Sequence, residues 1–187
     1  MKGVVLMGGC STRMGIDKAF LDWKGKPLYT NAVKKLLPFC SEVYLSVNAL
    51  QNEQFSFVDN LVIDSTESDG PIGGIISCHR FLKDTLLFLG CDIPLVSDAD
   101  VKNLAEIHKN GQGCTVYFNS IRNCYEPMLS IWDPLILDSL DVYFINGGRS
   151  LQRFLNENNT HKIPLLNEEN FKNINTESDW KSILNTN

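Results

Sequence analysis

Long apolar runs, closely paired cysteines and an excess of positive charge are all missing from this 187-residue chain. No segment approaches the roughly 18 consecutive apolar residues of a membrane span, and none is expected to meet a membrane. Met1-Lys2-Gly3-Val4 lacks the basic, apolar and small-residue regions of a secretory leader. The six cysteines (Cys10, Cys40, Cys78, Cys91, Cys114 and Cys124) include no C-x-x-C pair. Such scatter reads as reduced thiols rather than a disulfide framework, and suggests a cytoplasmic protein. The three histidines (His79, His108 and His161) make no zinc pattern with the cysteines and are expected at surface or half-buried positions. With 17 Lys and Arg against 22 Asp and Glu, the net charge of −5 argues against a general nucleic-acid binder, which carries a basic face. Repeats, linkers and low-complexity tracts are also missing, so one domain over residues 1–187 is expected. The 43% of hydrophobic residues suffices to bury a core.

What the chain does have stands at its start. The run from Gly3 to Lys18 is an apolar segment that breaks into Gly8-Gly9-Cys10-Ser11-Thr12-Arg13-Met14-Gly15-Ile16-Asp17-Lys18. Glycines let a backbone approach phosphate closely, and successive amide N–H groups form a positive concavity. Arg13 offers a planar fork for phosphate oxygens and Lys18 a compact, mobile charge. The spacing fits neither the dinucleotide fingerprint nor the P-loop, because Gly15 is followed by Ile16 rather than Lys-Ser/Thr.

Beyond this loop, strand-like and helix-like segments alternate. Strands are expected at 3–7, 43–47, 61–63 and 86–89, and helices at 27–39, 71–82 and 97–109, with Ser97 as an N-cap. The alternation implies βαβ units and a parallel sheet. Polar residues close each strand at Gly8, Asn48, Asp64 and Asp92. Ligands in open α/β sheets bind outside the carboxyl ends of strands, so these four are expected on one rim. After residue 113 the pattern loosens. Strands at 114–118 and 128–132 read as an antiparallel excursion, followed by helices at 133–140, 150–155 and 176–184.

Asp92 in Gly90-Cys91-Asp92-Ile93-Pro94 is a hard oxygen ligand suited to Mg²⁺ that also holds substrate phosphates; taken alone it is better explained as a turn residue before Pro94. Asp69-Gly70-Pro71-Ile72-Gly73-Gly74 reads as a turn and a Pro-initiated helix, whose N-terminus is itself an anion site. Asn48 and Asp64 serve equally well as turn residues. Arg149 could simply pair with a surface acid, and Thr176 is adequately a helix cap.

The N-terminal run resembles the signature L-A-G-G-x-S-x-R-M-G-x-D-K of the nucleotidylyltransferase superfamily, departing from it at Met7. Gly90–Pro94 resembles that superfamily's C-D-x-P metal motif, and Gly70–Gly74 its G-P-L-A-G segment. Glu126-Pro127-Met128, Arg149-Ser150-Leu151 and Asn173-Ile174-Asn175-Thr176 resemble its E-P-L, R-S-L and N-I-N-T segments, with Glu177 replacing the usual Pro. The resemblance runs from Gly3 to about Asp179 and is nearest to the molybdenum cofactor guanylyltransferase (MobA-type) family. It implies a three-layer α/β/α, Rossmann-like fold of the nucleotide-diphospho-sugar transferase type, with a mainly parallel sheet. It also implies GMP transfer from GTP to the terminal phosphate of molybdopterin or molybdenum cofactor, with release of pyrophosphate. A molybdoenzyme or its chaperone is the class of protein partner that follows.

By the same resemblance Arg13, Lys18 and Asp92 are catalytic. Leu6, Met7, Gly8, Gly9, Ser11, Arg13, Lys18, Asn48, Asp64, Gly70, Pro71 and Asp92 bind the nucleotide. Glu126, Pro127, Arg149 and Ser150 bind the acceptor. Mg²⁺ sits on Asp92, with Asn175 helping to complete its sphere. Two other readings stay open at this point: transfer of another nucleotide such as CMP to a different phosphate, and a binding protein without turnover.

Overall fold

The computed structural model describes residues 1–7, 17–65 and 70–184. Gly8, Gly9, Ser11 and Arg13 lie outside the described residues.

In chain order the elements are β1 (Lys2–Leu6), a 3₁₀ turn at Lys18–Phe20, β2 (Asp22–Trp23), β3 (Lys26–Pro27), α1 (Leu28–Leu36), β4 (Val43–Val47), α2 (Ala49–Asn52), β5 (Leu61–Ile63), α3 (Pro71–Leu82) and β6 (Leu86–Gly90). There follow α4 (Asp98–Ile107), β7 (Cys114–Asn119), β8 (Cys124–Trp132), α5 (Pro134–Ile145), α6 (Leu151–Glu157), β9 (Thr160–Pro164), a second 3₁₀ turn at Glu168–Phe171 and α7 (Glu177–Leu184). Among the described residues seven strands form one sheet in the order β5-β4-β1-β6-β8-β7-β9. The pairs β5–β4, β4–β1, β1–β6 and β7–β9 are parallel, while β8 runs antiparallel to both β6 and β7. The expected mainly parallel sheet with an antiparallel excursion is therefore the observed one.

Alternation along each strand sends side chains to two faces. Val4 and Leu6 of β1 enter a core with α3, α5 and α6, built around Ile75, Ile76, Phe88, Trp132 and Phe154. Val5 and Met7 point the other way, into a core with α1 and α4 that holds Leu36, Leu87, Val101, Tyr117 and Leu129. Both faces of β6 are covered, which is why Leu86–Leu89 reads as a continuous apolar run rather than an alternating one. Burial of each such large side chain contributes about 1.5–3 kcal/mol.

Three elements differ from expectation. Lys24 and Gly25 both have positive φ (54° and 80°), the backbone of a type I′ turn, and join β2 to β3 as a short hairpin. Pro27 belongs to that hairpin and α1 begins one residue later. The outer strand β9, with only Ile163 buried, pairs with β7. His79 is buried, 2.7 Å from the Asp138 carboxylate through Nε2, rather than at the surface. Cys78, Cys91 and Cys114 are buried free thiols, and no described cysteine forms a disulfide. No helix among the described residues is long and apolar enough to cross a membrane.

Candidate active site

Strands β1, β4, β5 and β6 end on the same edge of the sheet because they are parallel neighbours, so Met7, Asn48, Asp64 and Asp92 share one rim. Asp92 stands two residues past the last residue of β6, Gly90. Its carboxylate folds back over Gly90, where a Cβ would stand 2.6 Å from Oδ1. That space exists only because residue 90 has no side chain. Burial raises the Asp92 pKa above the ordinary 3.8, while Lys18 and a backbone hydrogen bond pull it back down. The turn after Asp92 is pinned from two directions. Lys35 of α1 donates to the Pro94 carbonyl at 2.9 Å, and Ile174 N–H donates to the Asp92 carbonyl at 2.8 Å.

The second contact brings the C-terminal segment to the rim. Thr176 and Asp179 cap α7 reciprocally: Asp179 N–H donates to Thr176 Oγ1 (3.2 Å), and Thr176 N–H to Asp179 Oδ2 (2.7 Å). Asn175 N–H also donates to that carboxylate (2.9 Å), and this set of hydrogen bonds holds the Asp179 pKa below its usual value. Ile174, Ile183, Leu28 and Trp23 form a small cluster under this segment, with Trp180 packed on Trp23. The strap so fixed places Asn175 Oδ1 3.1 Å from the Lys18 ammonium. Lys18, Asp92 and Asn175 are thus brought together from three distant parts of the chain.

On the neighbouring strands, Asn48 caps α2. Its side chain accepts from Gln51 N–H (2.9 Å), and Asn48 N–H donates to Gln51 Oε1 (3.1 Å). Asp64 Oδ1 accepts from Ser77 Oγ of α3 at 2.8 Å. A Cβ on Gly74 would stand 3.1 Å from Ser46 Oγ and 3.9 Å from Asp64 Oδ2, so the helical glycine lets α3 lie close to the rim. Gly70, at φ 131°, adopts a backbone that side chains disfavour and turns the chain into Pro71, the first residue of α3.

The candidate acceptor residues lie on two elements that meet, since Tyr125 N–H donates to Gln152 Oε1 (2.9 Å) and Gln152 Nε2 donates to the Tyr125 carbonyl (2.8 Å). Glu126 and Pro127 lie in β8 next to Met128, whose Cβ approaches Gly90. Arg122 bridges Glu126 (2.7 Å) and Glu168 (3.0 Å), and Asn119 also donates to Glu168 at 2.8 Å. Burial raises the Glu126 pKa against the pull of Arg122. Arg149 instead donates to the Phe144 and Gly148 carbonyls (both 2.8 Å) and lies 4.1 Å over the Phe144 ring, closing the end of α5. The surface-acid pairing open to Arg149 on sequence grounds is thus replaced by carbonyl and ring contacts. Ser150 caps α6 through Arg153 N–H (3.2 Å).

Among the described residues no three His, Cys, Asp or Glu side chains cluster as a metal cage. The donors this rim can offer are the Asp92 carboxylate and the Asn175 amide oxygen, which here accepts from Lys18. Mg²⁺ fits such a set, since it keeps waters and substrate phosphates in its sphere and uses one or two protein carboxylates. Sequence reasoning overlooked Lys35 and Gln51 as supports of the rim. Gln51 carried a legible signal, the Asn-x-x-Gln spacing of a capping box from Asn48.

An open, mainly parallel sheet carries its polar strand ends on one rim, where Lys18 and Asn175 meet beside the turn that follows β6. The model of the MobA-like NTP transferase domain matches residues 3–162, and the chain belongs to that family. A Pseudomonas putida protein named molybdenum cofactor guanylyltransferase is 30% identical over 156 residues, covering 81% of this chain and 80% of that one. In structure the chain is similar to molybdopterin-guanine dinucleotide biosynthesis protein A of Archaeoglobus fulgidus, with a TM-score of 0.80, 23% identity and full coverage of both chains. A nucleotidyl transferase from Methanothermobacter thermautotroptrophicus superposes with a TM-score of 0.74 and 20% identity over 100% of this chain and 98% of that one. Asn175 lies beyond the residues that the family model matches.

Proposed function

We propose that this chain, acting in the cytoplasm as one domain over residues 1–187, transfers GMP from GTP to the terminal phosphate of a molybdopterin-type cofactor. The observation that carries this reading is the meeting of Lys18, Asp92 and Asn175 at the strand-end rim of a chain from this family. The name of the Pseudomonas putida relative supports the choice of nucleotide and acceptor.

A phosphate monoester has a second pKa near 6, so at pH 7 most of the acceptor is already dianionic and needs no general base. One of its oxygens attacks the α-phosphorus of GTP, and the bond from that phosphorus to the bridging oxygen breaks. Pyrophosphate leaves with the electron pair. The chain's work is therefore orientation and charge compensation. In this reading Lys18 meets the α-phosphate, held toward it by Asn175. Arg13 and the Gly8–Ser11 amides grip the leaving pyrophosphate. Asp92 and Asn175 would hold Mg²⁺, which would supply neutralisation of phosphate charge. The backbone at Leu6 and Met7, whose side chains are buried in the two cores, surrounds the nucleoside together with Gly9, Asn48, Asp64, Gly70 and Pro71. Glu126, Pro127, Arg149 and Ser150 face the acceptor, and a molybdoenzyme or its chaperone receives the product.

The experiment is pyrophosphate release with each of the four NTPs, with molybdopterin cofactor present and absent. GTP should be preferred by at least about tenfold in kcat/KM, the value of one bidentate contact to the guanine edge. A preference for CTP would move the chain to cytidylyl transfer. Nucleotide binding without release would make it a binding protein.

A further inference from the structure

Gln51 is the buried side chain of α2, a helix of only four residues, at 5% exposure. A long polar side chain is costly to bury unless its amide is fully partnered. Here both ends are used: Oε1 accepts from Asn48 N–H (3.1 Å), and Nε2 donates to Asp17 Oδ2 (2.6 Å). The other oxygen of Asp17 accepts from Ala19 N–H (3.0 Å) and so opens the 3₁₀ turn that carries Lys18. The far end of that turn is anchored on the same side, where Phe20 stacks on Phe55 (centroids 4.9 Å apart). Gln51 therefore joins the strand end bearing Asn48 to the turn bearing Lys18, across 34 residues of sequence.

Charge makes this join consequential. Asp17 directly precedes Lys18 and caps the turn that carries it, so a carboxylate stands beside the ammonium that meets Asn175. A carboxylate beside a phosphate site opposes a polyanionic ligand and competes for the ammonium. Two donors, Gln51 Nε2 and Ala19 N–H, hold Asp17 in place.

We infer that Gln51 is a positioning residue: by holding the Asp17 carboxylate it fixes the turn that presents Lys18 and ties that turn to Asn48. The role of Lys18 in this inference rests on the proposed nucleotidyl transfer. Replacing the amide by an apolar group of similar shape keeps the packing and releases Asp17. Replacing it by a carboxylate drives Asp17 away. Misplacement of a reacting group by about 1 Å costs on the order of a hundredfold in rate.

The test uses Gln51→Met, Gln51→Glu and a double variant that combines Asp17→Asn with Gln51→Glu. In the double variant donor and acceptor exchange places. The amide introduced at position 17 donates to the carboxylate introduced at position 51, while each side chain retains an oxygen for Ala19 N–H or Asn48 N–H. Two readouts are taken on the full-length protein: pyrophosphate release with whichever NTP the wild type consumes, and the rate at which an amine-reactive reagent labels Lys18, followed by mass spectrometry. Both single variants should lower kcat on the order of a hundredfold, with a smaller effect on KM and folding intact by circular dichroism. Lys18 labelling should slow in both, and the exchange should restore turnover and labelling. Single variants with wild-type turnover and labelling would overturn the inference, as would losses that the exchange leaves unrepaired. If the wild type consumes CTP rather than GTP, the guanylyl reading fails and the Gln51 comparison is made with CTP. If it consumes none, the labelling rates alone decide.

Discussion

Asp92→Asn is expected to stop turnover and at the same time stabilise the metal-free protein. The substitution keeps size and shape, so the close approach to Gly90 and the bond from Ile174 N–H to the residue 92 carbonyl are retained. Only the charge goes. Burial raises the Asp92 pKa above the 3.8 of an unfolded chain, so the folded protein holds this proton more tightly than the unfolded one. Its favourable contribution is complete below about pH 4 and is lost as pH rises through the raised folded value. Asparagine mimics the protonated acid at every pH. The variant should therefore match the wild type in acid and gain on it as pH rises, levelling off once Asp92 is ionised in the folded state. Relieving a functional site of this kind yields about 0.5–2 kcal/mol, and for a chain of this size each kcal/mol moves Tm by roughly 2–4 °C. Each 1.36 kcal/mol of lost transition-state stabilisation is tenfold in rate, so removal of a metal-anchoring carboxylate worth a few kcal/mol should lower kcat on the order of a hundredfold or more. Thermal melts in EDTA at several pH values from about 4 to 8, spanning the ordinary and raised carboxyl range, are paired with pyrophosphate release in Mg²⁺. A variant less stable at the alkaline end, a stability gap independent of pH, or near-normal kcat would refute the reasoning.

Three further outcomes are expected. Lys18→Ala should lower kcat more than it raises the KM for GTP, and Arg13→Ala should show the larger KM effect, because one group acts on charge developing at the α-phosphate and the other on ground-state phosphates; steady-state kinetics with both variants decides it. Gly90→Ala would place a Cβ 2.6 Å from Asp92 Oδ1 and 3.2 Å from Met128 Cβ, so the carboxylate must swing aside. Activity should fall on the order of tenfold or more while destabilisation stays within about 1–3 kcal/mol, the usual range of overpacking, read by kinetics and denaturant melts. Ser77→Ala removes one donor to Asp64 and should raise the nucleotide KM more than it changes kcat, checked by titrating GTP in the release assay.

The parallel part of the sheet was legible because its strands are short apolar runs that each end in a polar residue, as at Val43–Val47 before Asn48 and Leu86–Gly90 before Asp92. The antiparallel β8 was legible at Met128–Trp132, where the core demands apolar residues. Its first half, Cys124–Pro127, is only partly buried and includes Glu126, so no pattern marked it. Strand β9 was hidden for the same reason, since Thr160, His161 and Lys162 are not buried on this outer strand. The hairpin at Lys24-Gly25 was missed because Lys is an uncommon first residue of a type I′ turn, which ordinarily carries Asn or Asp. In the site, strand-end geometry made Asn48, Asp64 and Asp92 convergent from sequence alone. The approach of Asn175 to Lys18 spans 157 residues, and no local pattern encodes a contact of that range.

The latch that carries Asn175 has its own stability. Among the described residues four buried side chains (Trp23, Leu28, Ile174 and Ile183) seat it, against twenty in each of the two cores flanking the sheet. Opening free energies within one fold scale with such local burial, so α7 and its strap form a separate, weaker cooperative unit. On warming, this unit is expected to open while the sheet stays intact. Exchange of the Ile174 amide proton should run well ahead of that of Val5 or Leu87, and loss of turnover should follow the Ile174 amide rather than the global melt. On the proposed role of Asn175, activity at high temperature should depend on this small apolar seat, and engineering for heat would begin at Trp180 and Trp23 rather than in the cores.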